Sequence, residues 1–331
     1  MSERSTQLNR WLNHLGYQDY SLSPASEDAS FRSYLRLEAG DGSRIVMDAP
    51  PDKESCEPFI EVAQKLRDAG LNAPALIAKN LAEGFLILTD LGRDDYLSQL
   101  NPESEEPLYA DALAALLLMQ TRIDADDLPH YDEVLLNQEL DLFHDWFLGK
   151  LLGITFDQPQ QETWQSIKQA LIKNALAQPQ VFVHRDYHSR NLMKVESHNP
   201  GILDFQDAVK GPITYDLVSL LRDCYIAWPP ARVEQLALEY YEFARVNELV
   251  DIKAAQFMRW FNLMGIQRHL KAIGIFSRLN IRDGKPGYLN DIPRTLEYVN
   301  QVSAKEASMA GLFSIIEKLD LNLRVGALMK P

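Results

Sequence analysis

Two segments hold residue types that could do chemistry together. Val181–Met193 reads Val-Phe-Val-His-Arg-Asp-Tyr-His-Ser-Arg-Asn-Leu-Met, and Gly201–Asp207 reads Gly-Ile-Leu-Asp-Phe-Gln-Asp. Each begins as an apolar strand and ends in polar residues, so Asp186, Asn191 and Asp204 are expected to gather beyond two neighbouring strand ends. That set fits phosphoryl transfer. The reaction needs a carboxylate against the attacking hydroxyl, and metal ions on the polyphosphate held by an amide oxygen and a second carboxylate. On this reading Asp186 is the base, and Asn191 and Asp204 are the metal ligands.

The spacing from His184 through Asp186 to Asn191 follows His-Arg-Asp-x-x-x-x-Asn, the pattern of the protein-kinase catalytic loop. His184, Asp186 and His188 also admit a metal-dependent hydrolase, since imidazole and carboxylate at alternating positions can converge on one ion. Such sites recruit further histidines, and no other pair among the seven here has ligand spacing. His184 is therefore read as structural, anchoring the loop, and His188 as a residue beside the base or on the substrate. A non-catalytic nucleotide-binding module would lack Asp186 or Asp204, and both are present.

The elements that must position these residues divide the chain. The first hundred residues read as strands and the rest almost wholly as helices. A short helix is expected over Gln7–Leu15, then a polar loop over Ser21–Ser30. Strands over Phe31–Leu37 and Arg44–Met47 flank Ala-Gly-Asp-Gly, a strong hairpin signal. A helix from about Ser55 places Phe59, Ala63 and Leu66 on one face and stops at Gly70. Pro74–Ala78 and Phe85–Leu88 read as strands, and Leu88–Tyr96 as a hinge.

Beyond Pro107 the period is helical, with apolar stripes at Tyr109–Gln120, Leu140–Leu151 and Trp164–Leu171. Two strands interrupt it, Gln180–Val183 and Gly201–Phe205. Helices resume over Tyr215–Ile226, Arg232–Arg245 and Ile252–Phe276, and Leu279–Pro293 reads as a surface loop.

With those motifs in place, the chain resembles the aminoglycoside phosphotransferase and choline kinase superfamily, small-molecule kinases with a two-lobed protein-kinase fold. His184, Asp186, His188 and Asn191 match its His-Gly-Asp-x-His-x-x-Asn segment. Leu203, Asp204 and Phe205 match its Ile-Asp-Phe segment, and Tyr215, Asp216 and Leu217 its Tyr-Asp-Leu. The resemblance implies an α+β fold: an antiparallel-sheet N-lobe of about residues 1–90 for the nucleotide, and a helical C-lobe over 91–331 with the catalytic loop and sugar site. It implies that Asp216 braces the catalytic loop and that the adenine meets the hinge backbone at Leu88, Thr89 and Leu91.

Asp204–Tyr225 and Gly265–Leu279, with Arg282–Lys285, are similar to a branch of that superfamily, the bacterial N-acetylmuramate/N-acetylglucosamine kinases. These use ATP to phosphorylate the anomeric hydroxyl of cell-wall amino sugars, feeding peptidoglycan recycling, so the resemblance implies ATP as phosphoryl donor and Mg2+ as its metal. An aminoglycoside or other small-alcohol phosphotransferase is the alternative. The resemblance also exposes a departure. The third-strand lysine that holds the α- and β-phosphates should fall within Arg44–Asp48, where Met47 or Asp48 stands instead. Arg32 is the favoured substitute, because it follows the segment from Ser26 to Ser30 that matches the phosphate-covering loop; Arg36 and Lys53 are the others. Glu57 or Glu61 is the expected partner of that cation. On the sugar side a lactyl carboxylate calls for an arginine fork. Arg190, Arg222 and Arg268 are the candidates, with His188, Tyr225, Gln267 and His269 for hydroxyls or the acetamide.

Composition narrows the partners. In 331 residues, 33 Lys and Arg against 47 Asp and Glu leave a charge of −14, which disfavours nucleic acid. Hydrophobic residues at 46% and charged residues at 24% belong to a soluble globular chain. The longest strongly apolar run, Ala112–Met119, falls well short of the roughly 20 residues of a membrane span. No signal-peptide core precedes Tyr20 and the two cysteines form no framework, so the expected place is the cytoplasm. No obligate protein partner is inferred.

Overall fold

The computed structural model describes residues 3–26, 31–40 and 42–328. The chain forms two compact units. One is the chain up to Ala112 together with Asn191–Asp207; the other is Leu113–Arg190 with the chain from Ala208 onward.

In the first unit, α1 (Glu3–His14) precedes β1 (Tyr20–Ser26), β2 (Ser33–Ala39) and β3 (Gly42–Asp48). Then come α2 (Glu57–Asp68), β4 (Leu76–Asn80) and β5 (Phe85–Thr89). The five strands form an antiparallel sheet in the order β1-β2-β3-β5-β4. The hairpin signal is met, with Ala39 opposite Gly42. The loop expected over Ser21–Ser30 is instead the edge strand β1 over its first part; Glu27–Ser30 lie outside the described residues. An edge strand needs only one apolar face, and Tyr20 and Leu22 supply it, packing on the core of Leu8, Trp11, Leu12, Leu37, Val46, Phe85 and Ile87. Trp11 stacks on Phe85 at 5.7 Å between ring centres. The polar serines between them, and a proline that an edge tolerates, hid the strand.

The β4–β5 turn depends on Gly84. Its φ is +70°, and a Cβ there would lie 1.9 Å from the Ala49 carbonyl oxygen, which no side chain could tolerate. Helix α2 buries Phe59, Val62, Ala63 and Leu66, the expected face. After the short α3 (Tyr96–Gln99), α4 (Glu105–Arg122) carries the chain into the second unit. The first unit later takes back a small ribbon, β7 (Leu192–Met193) with β8 (Gly201–Ile202). Ile202 donates to the Asn72 carbonyl at 2.8 Å and Lys194 to that of Asp94 at 2.7 Å, so the ribbon is tied to the segments after α2 and after β5.

The second unit is mostly helical. It holds α5 (Glu133–Leu142), its π-helical continuation Phe143–Leu151, and α6 (Gln158–Leu176). The two-stranded β6 (Gln180–Val183) and β9 (Val209–Pro212) follow, then α7 (Thr214–Leu221) and α8 (Pro230–Val246). The 30-residue α9 (Ala254–Asp283) leads through a 3-10 turn at Pro286–Asp291 to α10 (Ile292–Ser303), α11 (Ala310–Lys318) and α12 (Leu321–Leu328). Helix α9 is buried nearly all round, packed by α5, α6, α7, α8 and α10.

Three expectations are corrected. Helix α9 continues through Leu279–Asp283, where a loop was expected, and ends at Gly284 with φ +65°. Helix α7 stops at Leu221, short of Ile226, because Asp223 turns its carboxylate onto the amides of Ser189 and Tyr225. The strands β6 and β8 do not pair with each other: β6 pairs with β9, and β8 with β7.

Candidate active site

The catalytic-loop segment in the second unit starts where β6 ends. Asp216, in the first turn of α7, accepts the backbone amide of His184 on Oδ2 at 2.6 Å and that of Arg185 on Oδ1 at 3.0 Å. This grip holds Arg185 at a φ of +78°, a conformation a non-glycine residue adopts only when its surroundings fix it. His184 is fully buried; its Nδ1 accepts the Asp186 amide at 3.3 Å, and its ring sits edge-on to Tyr187. The His188 amide donates to the Asp186 carbonyl at 3.0 Å.

Beneath the loop lies a buried charge network. Glu139 accepts from Arg185 at 2.7 Å, Lys271 at 3.1 Å, Gln267 at 3.1 Å and the Tyr131 hydroxyl. Lys271 also donates to the Tyr215 hydroxyl at 2.9 Å. Burial pushes the Asp186 carboxyl up, but the positive charges of Lys271, His188, Arg268 and Arg185 outweigh it and hold the group down to about 2. His188 is itself pushed toward the neutral form by burial, so Lys271 and the two arginines carry that effect near pH 7. Asp216 goes the other way: burial, with the Asp186 charge adding to it, lifts its carboxyl to about 7 against the pull of its two amide donors.

The residues expected on the sugar side separate. His188, Arg190 and Tyr225 come together: the His188 ring stands edge-on to Tyr225 at 5.2 Å, and the Arg190 guanidinium lies 3.7 Å above the same ring. Arg222, Gln267, Arg268 and His269 turn into the packing of the second unit. Arg222 donates to Asn262 at 2.6 Å and covers Phe261. His269 bonds the Arg222 carbonyl at 2.9 Å, stacks on Tyr298, and is kept neutral by burial, its imidazole pushed down to about 3. Gln267 has no exposure and donates to Tyr131 and Glu139. Arg268 is buried with Nη1 at 3.6 Å from the Cys224 sulfur.

In the first unit the strand run expected over Gly201–Phe205 ends at Ile202, and Asp204 takes a φ of +62°. Leu203 donates to the Asn191 carbonyl at 2.9 Å, which fixes the two side chains in register. Asn191 Nδ2 lies 3.2 Å from one Asp204 carboxylate oxygen and Gln206 Nε2 2.8 Å from the other. Gln206 Oε1 is buried with no hydrogen-bond partner among the described residues. One carboxylate flanked by two amide groups is an all-oxygen donor set of the kind Mg2+ takes, so these residues fit that ion. Phe205 anchors the turn against Phe59 at 4.8 Å.

On the nucleotide side Arg32 pairs with Glu54 at 2.6 Å, both largely buried. Glu54 lies in the loop before α2; of the expected partners, Glu57 bonds Ser55 and Glu61 is exposed. Arg36 is committed to Asp90 at 2.6 Å and to the Gly92 carbonyl, where it ties β2 to the segment after β5. Lys53 is half-exposed beside Asp52, and Asp48 accepts from Arg4 at 2.8 Å. In the hinge, Leu88 is buried in β5. Thr89 gives its amide to Ala75 and takes the Ala75 amide on its hydroxyl. Leu91 packs where a Cβ on Gly201 would meet it at 2.9 Å. Ser30 lies outside the described residues.

Glu139, Lys271, Asp223, Glu54 and Asp90 escaped the sequence reading. Lys271 and Asp223 sit inside the segments that carried the family resemblance, which is where a signal for them lay.

A folded unit with a five-stranded antiparallel sheet, a helical unit, and these two motif-bearing turns define a small-molecule kinase. The chain belongs to the phosphotransferase enzyme family, whose sequence profile matches residues 21–249. It is 46% identical to the N-acetylmuramate/N-acetylglucosamine kinase of Pseudomonas putida over 92% of this chain and 90% of that one. It is 44% identical to the enzyme of the same name from Pseudomonas aeruginosa, over 96% and 97% of the two chains. The fold is that of the protein-kinase-like phosphotransferases. The ADP-bound aminoglycoside phosphotransferase APH(2'')-Ib superposes with a TM-score of 0.58 at 15% identity, covering 90% of this chain and 97% of that one. Choline kinase LicA from Streptococcus pneumoniae gives 0.61 at 10%, covering 91% and 100%.

Proposed function

We propose that this protein uses ATP to phosphorylate the anomeric hydroxyl of N-acetylmuramate and N-acetylglucosamine, a step of peptidoglycan recycling in the cytoplasm. The observation that carries the substrate is identity above 40% to kinases of that name along nearly the whole chain. Asp186 takes the hydroxyl proton. A carboxylate held to about 2 is a weak base, which suits a loose transition state in which the nucleophile is oriented first and deprotonated late. Asp204 and Asn191 supply oxygens for Mg2+, which neutralises polyphosphate charge when bound. Arg32, held by Glu54, is the cation for the phosphates in place of a third-strand lysine, and the hinge at Leu88–Leu91 receives the adenine. His184 and Asp216 keep the loop in place.

An ATP-consumption screen over N-acetylmuramate, N-acetylglucosamine, choline, homoserine and kanamycin tests the reading. Turnover is expected with the two amino sugars alone. Turnover with choline or kanamycin and neither sugar would replace it with the small-alcohol or aminoglycoside alternative.

A further inference from the structure

Three arginines compete for an anionic substrate group, and the second unit separates them. Arg222 is fixed to Asn262 and Phe261, and Arg268 is buried beside Cys224. Arg190 alone of the three is exposed, and among the described residues it has no ion pair or hydrogen bond. Its guanidinium is nevertheless held in place, 3.7 Å over the Tyr225 ring and 6.0 Å from that of Tyr288. Those rings are themselves fixed, Tyr225 against His188 and Phe276, and Tyr288 stacked on Phe276.

Of the nearby acids, Asp223 accepts from the Ser189 amide and hydroxyl and the Tyr225 amide. Asp291 lies 3.5 Å from Arg294 and feels the charges of both Arg190 and Arg294, without a hydrogen bond to Arg190. Stacking on an aromatic face fixes the guanidinium plane and leaves its N–H edge pointing outward as a fork. A cation so ordered before binding loses little rotamer freedom when an anion arrives. Arg190 is four residues from Asp186, a separation of at most roughly 14 Å along the chain.

Resting on the functional reading above, we infer that Arg190, ordered on Tyr225, is the specificity-determining residue that receives the lactyl carboxylate of N-acetylmuramate. N-acetylglucosamine has no such group, so Arg190 sets the preference between the two sugars while the shared ring and acetamide are held by other groups. The lactyl arm is on the third ring carbon, separated from the anomeric centre by the acetamido-bearing second carbon. The fork therefore engages a part of the sugar that does not react.

The test compares kcat/KM for N-acetylmuramate, its lactyl amide and N-acetylglucosamine in the wild type and in Arg190→Met, which keeps an apolar stem over Tyr225. The ratio of N-acetylmuramate to N-acetylglucosamine is expected to fall roughly 10- to 100-fold in the variant, mostly through KM, the range of a charge-assisted hydrogen-bond pair. In the wild type the lactyl amide should lose a similar factor against the acid. That measurement needs no variant to fold. Arg190→Met should treat acid and amide alike. An unchanged ratio, or a wild type indifferent to acid and amide, overturns the inference and leaves the kinase reading intact. A wild type inactive on both sugars takes down the functional reading and this inference with it.

Discussion

Asp216 holds the His184 amide at 2.6 Å on one carboxylate oxygen and the Arg185 amide on the other, so one side chain fixes the start of the loop that ends in Asp186 and Asn191. Asp216→Asn replaces one acceptor by an N–H group facing an N–H donor. Stability should fall by about 1–3 kcal/mol and kcat by at least tenfold. The pH dependence has a definite sign. The folded carboxyl is raised to about 7 by burial, above its unfolded value, so the folded state binds the extra proton between roughly pH 4 and 7. The stability advantage of wild type over the variant should shrink as pH rises through that window and level off above it. Denaturant titrations at pH 5 and pH 8 read this directly; an advantage that grows toward pH 8 would show the carboxylate to be the favoured form.

Asp186→Asn keeps the shape of the proposed base and removes its proton acceptance. Turnover should drop by roughly 10²–10⁴, with ATP affinity little changed. A variant keeping more than half of wild-type kcat would remove Asp186 from the role.

Lys271 is fully buried and remains charged, because Glu139 and the Tyr215 hydroxyl offset the cost of its burial. It is also the first of the charges that hold Asp186 low. In Lys271→Met the Asp186 carboxyl should rise, and the acid limb of the kcat profile should move to higher pH. A profile from pH 4 to 9 in which the variant shows no acid limb beyond that of the wild type would limit Lys271 to packing.

The Asp204 and Asn191 pair predicts unequal outcomes. Asp204→Ala should abolish turnover at every Mg2+ concentration, since the carboxylate is the only charged group of the set. Asn191→Ala removes a neutral amide and should be partly rescued by excess Mg2+ or by Mn2+. Initial rates across a metal titration distinguish the two, and activity persisting in EDTA would defeat both assignments.

These residues differ in how far the sequence exposed them. Asn191 and Asp204 were expected beside one another and do touch, and β6, which leads to Asp186, fell on its expected residues. Phe59, Ala63 and Leu66 were legible through helical period. The edge strand β1 was not, because its outward serines look like loop. Glu54 was missed because it acts from an aperiodic turn, and the search for a partner to Arg32 followed the helix. Glu139 lies beside a stripe read as ordinary core, and Lys271 lies on a helix where only Gln267, Arg268 and His269 had been singled out. Their pairing joins α5 to α9 and depends on tertiary packing, which no local pattern encodes. Arg190, Arg222 and Arg268 were equivalent by position, and only their different burial and partners separated them.

The riskiest expectation is the position of transfer. The anomeric hydroxyl is more acidic than an ordinary sugar alcohol, because the ring oxygen withdraws electron density. A carboxylate as weakly basic as Asp186 is matched to that hydroxyl better than to a primary alcohol. Orientation must supply the rest of the selectivity, since the other hydroxyls of the same ring compete for one phosphoryl group. The methyl glycoside of N-acetylglucosamine should therefore never be phosphorylated, while the 6-deoxy sugar should remain a substrate. The product should be a sugar 1-phosphate that mild acid splits, releasing inorganic phosphate. Phosphorus NMR of the product before and after acid treatment reads the outcome. Phosphorylation of the methyl glycoside, or an acid-stable monoester, would move the transfer to another hydroxyl and leave only the general kinase assignment standing.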